Sequence, residues 1–122
     1  MKNDILNRAD IELLVDTFYN RVKTDPVLKP FFKQVNWDRH VKIMYDFWEN
    51  AIFYTGTYSG NPINVHRHIH DKLPLTKEAF AIWLKLFLQT SDDLFEGEKT
   101  ILVKQKAYSI ATVMQMKILN KE

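Results

Sequence analysis

Apolar residues recur along this chain with the period of an α-helix, and no stretch shows the two-residue alternation of a strand. The first periodic run consists of Ile11, Leu14, Val15, Phe18 and Val22. Asn7 or Asp10 can cap the first turn of this helix by accepting a bond from a free amide. Asp25-Pro26 should end it, because the residue before a proline avoids helical dihedral angles. Tyr19 lies beside the stripe, so its ring can be buried with the hydroxyl directed inward.

Three further helices follow by the same criterion. The second helix begins at residue 37 or 38, runs to about Tyr54 and stops at Thr55-Gly56. The third follows a cap at Thr76 and stops around residues 90–93. The fourth covers about 98–118. The apolar face of the second helix comprises His40, Ile43, Met44, Phe47, Trp48 and Ala51. That of the third comprises Phe80, Trp83, Leu84 and Phe87, and that of the fourth Val103, Ala107, Ile110, Ala111, Met114 and Ile118. The pattern predicts an all-α fold, and the length of 122 residues predicts one domain over residues 1–122.

A loop of about twenty residues separates the second and third helices, from Gly56 to Leu75, and it has no strong period. Prolines at 62 and 74 bound its central part, so no long helix can run through it. Three of the four histidines lie here, at positions 66, 68 and 70. Compact domains rarely carry a loop of this length without a function. The loop is therefore the first place to look for a binding site.

Composition narrows the classes of function. The net charge of +2 and the absence of a Lys/Arg cluster give no indication of a nucleic-acid partner. The lack of cysteine excludes disulfides and thiolate chemistry. No apolar run has the length of a transmembrane helix or the form of a signal peptide. A cytoplasmic monomer without membrane contact is expected.

The loop histidines allow two kinds of site. His66 and His70 have the i, i+4 spacing that can chelate zinc, but Arg67 stands where a metalloprotease motif has its glutamate. Alternatively, one loop histidine can bind the iron of a porphyrin, with the helices of Tyr19 and His40 covering the opposite face. Lys72 would then join His66 and Arg67 at the rim as partners of the propionates. The competing hypothesis is a haem-free or zinc-binding helical interaction module.

The chain resembles the group III branch of the truncated haemoglobins, from about Ile11 to Met116. The segments that carry this resemblance, in this order and spacing, are Phe18-Tyr19, Asp25-Pro-Val-Leu-Lys-Pro-Phe-Phe32, Trp37-Asp-Arg-His40, Met44-Tyr-Asp-Phe-Trp48, Tyr58-Ser-Gly-Asn-Pro62, His66-Arg-His-Ile-His70, Pro74-Leu75 and Ile82-Trp83-Leu-Lys-Leu-Phe87. No single segment is decisive, but together they are strongly specific. The glycine pairs typical of groups I and II are missing.

The resemblance implies a two-on-two helical sandwich around haem b. It implies His70 as the proximal iron ligand, thirteen residues before Trp83, with His66 as the competing choice. The distal residues that it implies are Tyr19, His40 and Trp83. The implied cofactor contacts are Phe32, Met44, Phe47, His66 and Arg67. Ala79 departs from the pattern, because many relatives have histidine at this position.

The resemblance also implies that the iron binds O2, NO and related small ligands. Hydrogen bonds from Tyr19 and Trp83 would retain bound oxygen, which opposes the easy release that transport requires. Redox or detoxifying chemistry with NO, O2 or peroxide is therefore favoured, such as NO dioxygenase or peroxidase-like activity supported by an unidentified reductase. His40 has two possible roles, as a gate for ligands or as a sixth iron ligand.

Overall fold

A computed structural model of the protein describes residues 2–33, 36–56 and 75–116. These residues form four α-helices, which are α1 (Arg8–Thr24), α2 (Trp37–Phe53), α3 (Lys77–Leu94) and α4 (Glu98–Met114), together with a short 3₁₀ helix, Lys29–Phe32. The all-α prediction and the positions of the four helices are confirmed. The histidine loop and the predicted end of the last helix at Ile118 lie outside the described residues.

Side-chain caps begin three of the helices, as their sequences suggest. Asn7 accepts a bond from the amide of Asp10 at 3.2 Å, which selects Asn7 over Asp10 as the cap of α1. Asn36 caps α2 in the same way, and Thr76 caps α3 by accepting a bond from the amide of Ala79 at 3.0 Å. Each cap satisfies an amide that has no partner within its own helix.

The last turn of α3 contains the run of polar residues at positions 90–93, and the helix ends at Leu94, close to the predicted end. The hydroxyls of Thr90 and Ser91 donate to the carbonyl oxygens of Leu86 and Phe87, one turn earlier, at 2.7 and 2.9 Å. Both side chains are fully buried in this way. Bonding back to the helix removes the polar groups that would otherwise have favoured a turn.

The helices pack as two pairs, α1 with α2 and α3 with α4, and the pairs meet through α1 against α3 and α2 against α4. The core between them contains the whole predicted stripe of α1, which is Ile11, Leu14, Val15, Phe18 and Val22, and also Trp48, Ile52, Phe87, Val103 and Ala107. One prediction was wrong: Ile43 is 38% exposed. The buried side of α2 is centred on Trp48 and Ile52, and the helical period places Ile43 almost opposite them.

Arginines on α1 tie this helix to its neighbours. Arg8 donates to the carboxylates of Asp46 and Glu49 on α2, at 2.8 and 3.0 Å. Arg21 donates to the hydroxyl of Thr90 at 3.0 Å and pairs with Asp93 at 2.9 Å, which joins α1 to the end of α3. These contacts orient α1, the helix that carries Tyr19, relative to both helices that carry the other candidate site residues.

A residue that precedes α1 caps α4 from a distance. The carboxylate of Asp4 accepts bonds from the amides of Lys99 and Thr100 at 2.8 and 2.9 Å, and from the Thr100 hydroxyl at 2.8 Å. Gly97 precedes this helix with φ of 143°, and an added Cβ would lie 2.5 Å from Cγ of Asp4. Glycine is therefore required here by both dihedral angle and space. Burial opposes the charge of Asp4, but its hydrogen bonds outweigh burial and lower its pKa below the ordinary value of 3.8.

Replacing Asp4 with alanine should lower the free energy of unfolding at neutral pH by about 1–2 kcal/mol, the usual effect of losing a helix cap. Because the folded-state pKa is depressed, the contribution of Asp4 is complete above pH 3.8 and disappears as pH falls through the folded value. The difference between Asp4→Ala and the parent should therefore shrink in acid. Urea unfolding at several pH values measures it. Glu98→Ala, which removes an acidic residue from the first turn of the same helix, is the control, and an equal loss there would assign the effect to helix charge alone.

Candidate functional site

Four aromatic side chains meet where the end of α1, the 3₁₀ helix and the start of α2 converge. The Tyr19 ring lies 5.0 Å from the His40 ring, at 82° to it, and 5.6 and 6.4 Å from the rings of Trp37 and Phe32. His40 in turn lies 5.7 Å from Trp37 and 6.1 Å from Phe32. We call these four residues the tyrosine–histidine cluster. It brings together three residues predicted for the site, from three different elements.

The turn after α1 makes this meeting possible. Asp25 ends α1 in an extended conformation, and its carboxylate accepts bonds from the amides of Val27 and Leu28 at 2.8 and 3.0 Å. These bonds reverse the chain and start the 3₁₀ helix, which carries Phe32 back toward Tyr19. Asp25-Pro26 therefore ends α1 and also leads the chain so that the Phe32 ring lies next to the phenol of Tyr19.

Burial further stabilises the neutral, protonated form of Tyr19. The side chain is 5% exposed, and burial raises the pKa of its phenol well above the ordinary value of 10.0. The hydroxyl consequently keeps its proton throughout the neutral range and remains a hydrogen-bond donor. A neutral phenol beside an imidazole, among apolar rings, is suited to donating to a small polar guest.

An apolar cleft adjoins this cluster. Its empty volume, including the part open to solvent, is about 470 Å³, and its lining consists of Leu28, Phe31, Phe32, Leu75, Ala79, Phe80, Trp83, Ala111 and Met114. Phe32 belongs both to the cleft and to the tyrosine–histidine cluster. The cleft and the cluster thus share a wall.

Trp83 borders the cleft in a fixed orientation. Its ring stacks on Phe87 at 5.8 Å and 10°, and it lies nearly perpendicular to the buried Phe18 ring at 5.7 Å. Phe18 also contacts Tyr19, at 4.9 Å. Phe18 therefore joins the two predicted donors, Tyr19 and Trp83, through one core side chain, so their relative position is set by packing rather than by a flexible loop.

The other predicted site residues are placed differently. Met44 and Phe47 are partly buried on α2 and pack against the core, with Phe47 5.2 Å from Trp48, and neither belongs to the lining of the cleft. Their contact with a cofactor stays a prediction. His66, Arg67 and His70 lie outside the described residues. Within the described parts of the chain, no three His, Cys, Asp or Glu residues cluster as metal ligands would, so a zinc site would depend on the loop histidines.

Several residues of the site were not predicted. Trp37 was recognised as the start of α2 but not as a member of the cluster, although its position three residues before His40 puts both on one side of the helix. Ala111 and Met114 were predicted as core residues of α4, and they also line the cleft. Leu28 could not be found by periodicity, since it precedes the 3₁₀ helix in a short connection.

Comparison with known proteins identifies the class to which this fold and site belong. Residues 3–120 match the family described as bacterial-like globin, and the chain belongs to that family. Globins bind haem, and the described residues fit this cofactor: the cleft is almost wholly apolar, as a flat macrocycle requires, and it lies beside a buried hydrogen-bond donor, Tyr19. Among the described residues, no helix is both long and apolar enough to span a membrane.

Particular relatives confirm the resemblance to group III truncated haemoglobins. The group 3 truncated haemoglobin ctb of Campylobacter jejuni is 31% identical over 121 residues, which cover 94% of this chain and 93% of that protein. The group 2 truncated haemoglobin YjbI of Bacillus subtilis is 33% identical over 97 residues, 70% of this chain and 65% of that protein.

Solved structures agree. The crystal structure of the group III truncated haemoglobin from Campylobacter jejuni superimposes with a TM-score of 0.86 at 29% identity, covering 97% of this chain and 95% of that one. THB1 of Chlamydomonas reinhardtii matches with a TM-score of 0.72 at 22% identity, covering 88% and 89%, and this likeness shows the fold alone. The predicted truncated-globin fold is confirmed.

Proposed function

We propose that the protein binds O2, NO and related diatomic ligands at haem b and uses them in redox chemistry with NO, O2 or peroxide, rather than transporting O2. The observation that supports this most directly is the buried, protonated Tyr19 packed against His40 beside the apolar cleft. When bound, haem supplies an iron position for the diatomic ligand and a change between the ferrous and ferric states. The side chains supply the apolar contacts and the hydrogen-bond donors.

The walls of the cleft have the first role. Leu28, Phe31, Phe80 and Met114 offer apolar contact from the 3₁₀ region, α3 and α4. Such contact favours a flat apolar cofactor and keeps water away from its faces. In a site without water, each polar group directed at the ligand acts in a low local dielectric, and its interactions are stronger than at the surface.

Tyr19 and Trp83 have the second role, as donors of an O–H and an N–H. A hydrogen bond to a charge-bearing acceptor contributes ~1.5–3 kcal/mol, or ~10- to 150-fold in retention of the ligand. Two donors directed at one ligand would retain oxygen strongly. Strong retention suits a reaction in place and opposes release to another site, so it supports redox chemistry over transport.

Further parts of the proposal concern residues and partners that the comparisons leave open. His70 is the proposed proximal ligand, with His66 as the alternative, and His66 and Arg67 are proposed at the propionate rim. Met44 and Phe47 are proposed cofactor contacts. His40 is proposed as a gate or a sixth ligand. A reductase would return the iron to the ferrous state after each NO dioxygenase turnover, and in a peroxidase-like reaction an electron donor of this kind would supply the two electrons that reduce the peroxide. We propose a cytoplasmic monomer.

Hemin titration of the recombinant protein tests the foundation of this proposal. We expect saturable uptake with a Soret band and distinct ferric, ferrous and oxygenated spectra. NO mixed with the oxygenated protein should yield one nitrate for each NO and O2 consumed, with the iron left ferric. Absence of hemin uptake would leave the haem-free or zinc-binding module as the explanation. Uptake without nitrate formation would retain the globin and remove the NO reaction.

A further inference from the structure

Trp37 lies within the tyrosine–histidine cluster and touches each of its other members. Its ring centroid is 5.6 Å from that of Tyr19, 5.7 Å from that of His40 and 5.4 Å from that of Phe32. The planes of Trp37 and His40 are at 87° to each other, the edge-to-face arrangement that aromatic pairs favour. Trp37 is the first residue of α2 and His40 is the fourth, so the two stand on the same side of one helical turn.

A cation also contacts the indole of Trp37. The ammonium nitrogen of Lys23 lies over the indole, 4.4 Å from the ring centroid, at a distance typical of a cation–π interaction. Lys23 belongs to the last turn of α1. This contact therefore ties the end of the helix that carries Tyr19 to the start of the helix that carries His40.

We propose that Trp37, held by Lys23, is a positioning residue that fixes the His40 ring against Tyr19. The inference rests on the proposed function, because the position of His40 matters to a ligand only if the cleft binds haem. A gate or a sixth ligand needs at least two positions of the imidazole. The indole of Trp37 packs against the imidazole in the position seen here. It therefore raises the population of this position relative to the other.

The carbonmonoxy ferrous protein offers a direct measurement. The C–O stretching frequency responds to polar groups near the ligand, so each position of the His40 ring should give its own infrared band. His40→Leu supplies the reference frequency for a site without the imidazole. Trp37→Leu should move at least about half of the intensity from the parent band toward that reference. Lys23→Met, which keeps the stem and removes the charge, should change the ratio of the two bands ~2- to 5-fold, as the loss of one partly exposed cation–π contact predicts. Lys23→Arg should restore the parent ratio.

A second cation–aromatic pair supplies the matched control. Lys99 lies over the Phe53 ring at 5.5 Å, at the opposite end of α2. Phe53→Leu and Lys99→Met remove the same kinds of group from a partly buried position away from the cluster. Both should leave the infrared bands unchanged, even where they lower the melting temperature. Equal spectral changes in these controls would assign the Trp37 effect to general loosening of the fold and overturn the proposal.

A double-mutant cycle separates positioning from a direct effect on the ligand. If Trp37 acts through His40, Trp37→Leu should alter the bands in the parent and have no further effect in the His40→Leu background. A full effect in both backgrounds, or parent bands in Trp37→Leu, refutes the proposal. Should Trp37→Leu fail to fold, Trp37→Phe and Lys23→Met carry the same test. Failure of the parent to take up hemin removes the proposed function itself, whereas hemin uptake with unresponsive bands removes only the role of Trp37.

Discussion

Replacing His70 with alanine should abolish stable haem incorporation, the largest effect expected of any single substitution in this chain. One axial imidazole anchors the iron in a globin site of this kind, and the cleft described here otherwise offers almost only apolar contact. Apolar contact allows hemin to associate but gives it no fixed orientation or slow release. Hemin titration followed at the Soret band, with transfer of haem to apomyoglobin as a measure of loss, checks the result.

His66→Ala is the matched control, because it removes the same group four residues earlier. Both histidines lie outside the described residues. Leu75, which follows His70 by five residues and His66 by nine, lines the cleft, so the sequence separation does not decide between them. Normal incorporation by His70→Ala and loss by His66→Ala would move the ligand to His66. Added imidazole should restore the Soret band in whichever variant lacks the true ligand.

The periodicity of the sequence predicted the four helices because each buries one side, and a buried side leaves apolar residues three and four positions apart. Asn7 and Thr76 were readable as caps for a similar reason, since a cap acts within one turn. What periodicity missed depends on partners far away in the chain. Asp4 caps a helix that begins more than ninety residues later, and the exposure of Ile43 depends on where α2 meets its neighbours.

The candidate site, too, could be predicted from the sequence only in part. Tyr19 lies on α1 and His40 on α2, and the apolar pattern of neither helix predicts that the two rings lie 5.0 Å apart. The family resemblance proposed them together, but it assigned no role to Trp37, although Trp37 belongs to one of its segments. The cleft is formed by side chains from the 3₁₀ region, α3 and α4. Such a surface exists only once the helices have packed.

Tyr19→Phe should accelerate oxygen dissociation at least several-fold, toward the ~10- to 150-fold that a lost hydrogen bond to a charged acceptor allows. Phenylalanine keeps the ring among Phe32, Trp37 and His40 and removes only the hydroxyl. Because burial raises the pKa of Tyr19 above 10.0, the phenol stays a donor and the parent rate should not change through its ionisation between about pH 6 and 9. Stopped-flow displacement of oxygen by carbon monoxide measures the rate.

The control for this substitution is Tyr45→Phe, the same change on α2 at a residue whose hydroxyl donates to Asp16. Burial, together with that bond, raises the pKa of Tyr45 to about 12, so this residue too is a protonated donor, but its hydrogen bond lies between α1 and α2 at the surface. Tyr45→Phe should leave oxygen dissociation unchanged. If oxygen dissociation is unchanged in Tyr19→Phe as well, Tyr19 does not retain the ligand, and Trp83 is the remaining predicted donor. The preference for redox chemistry over transport would then lose its main support.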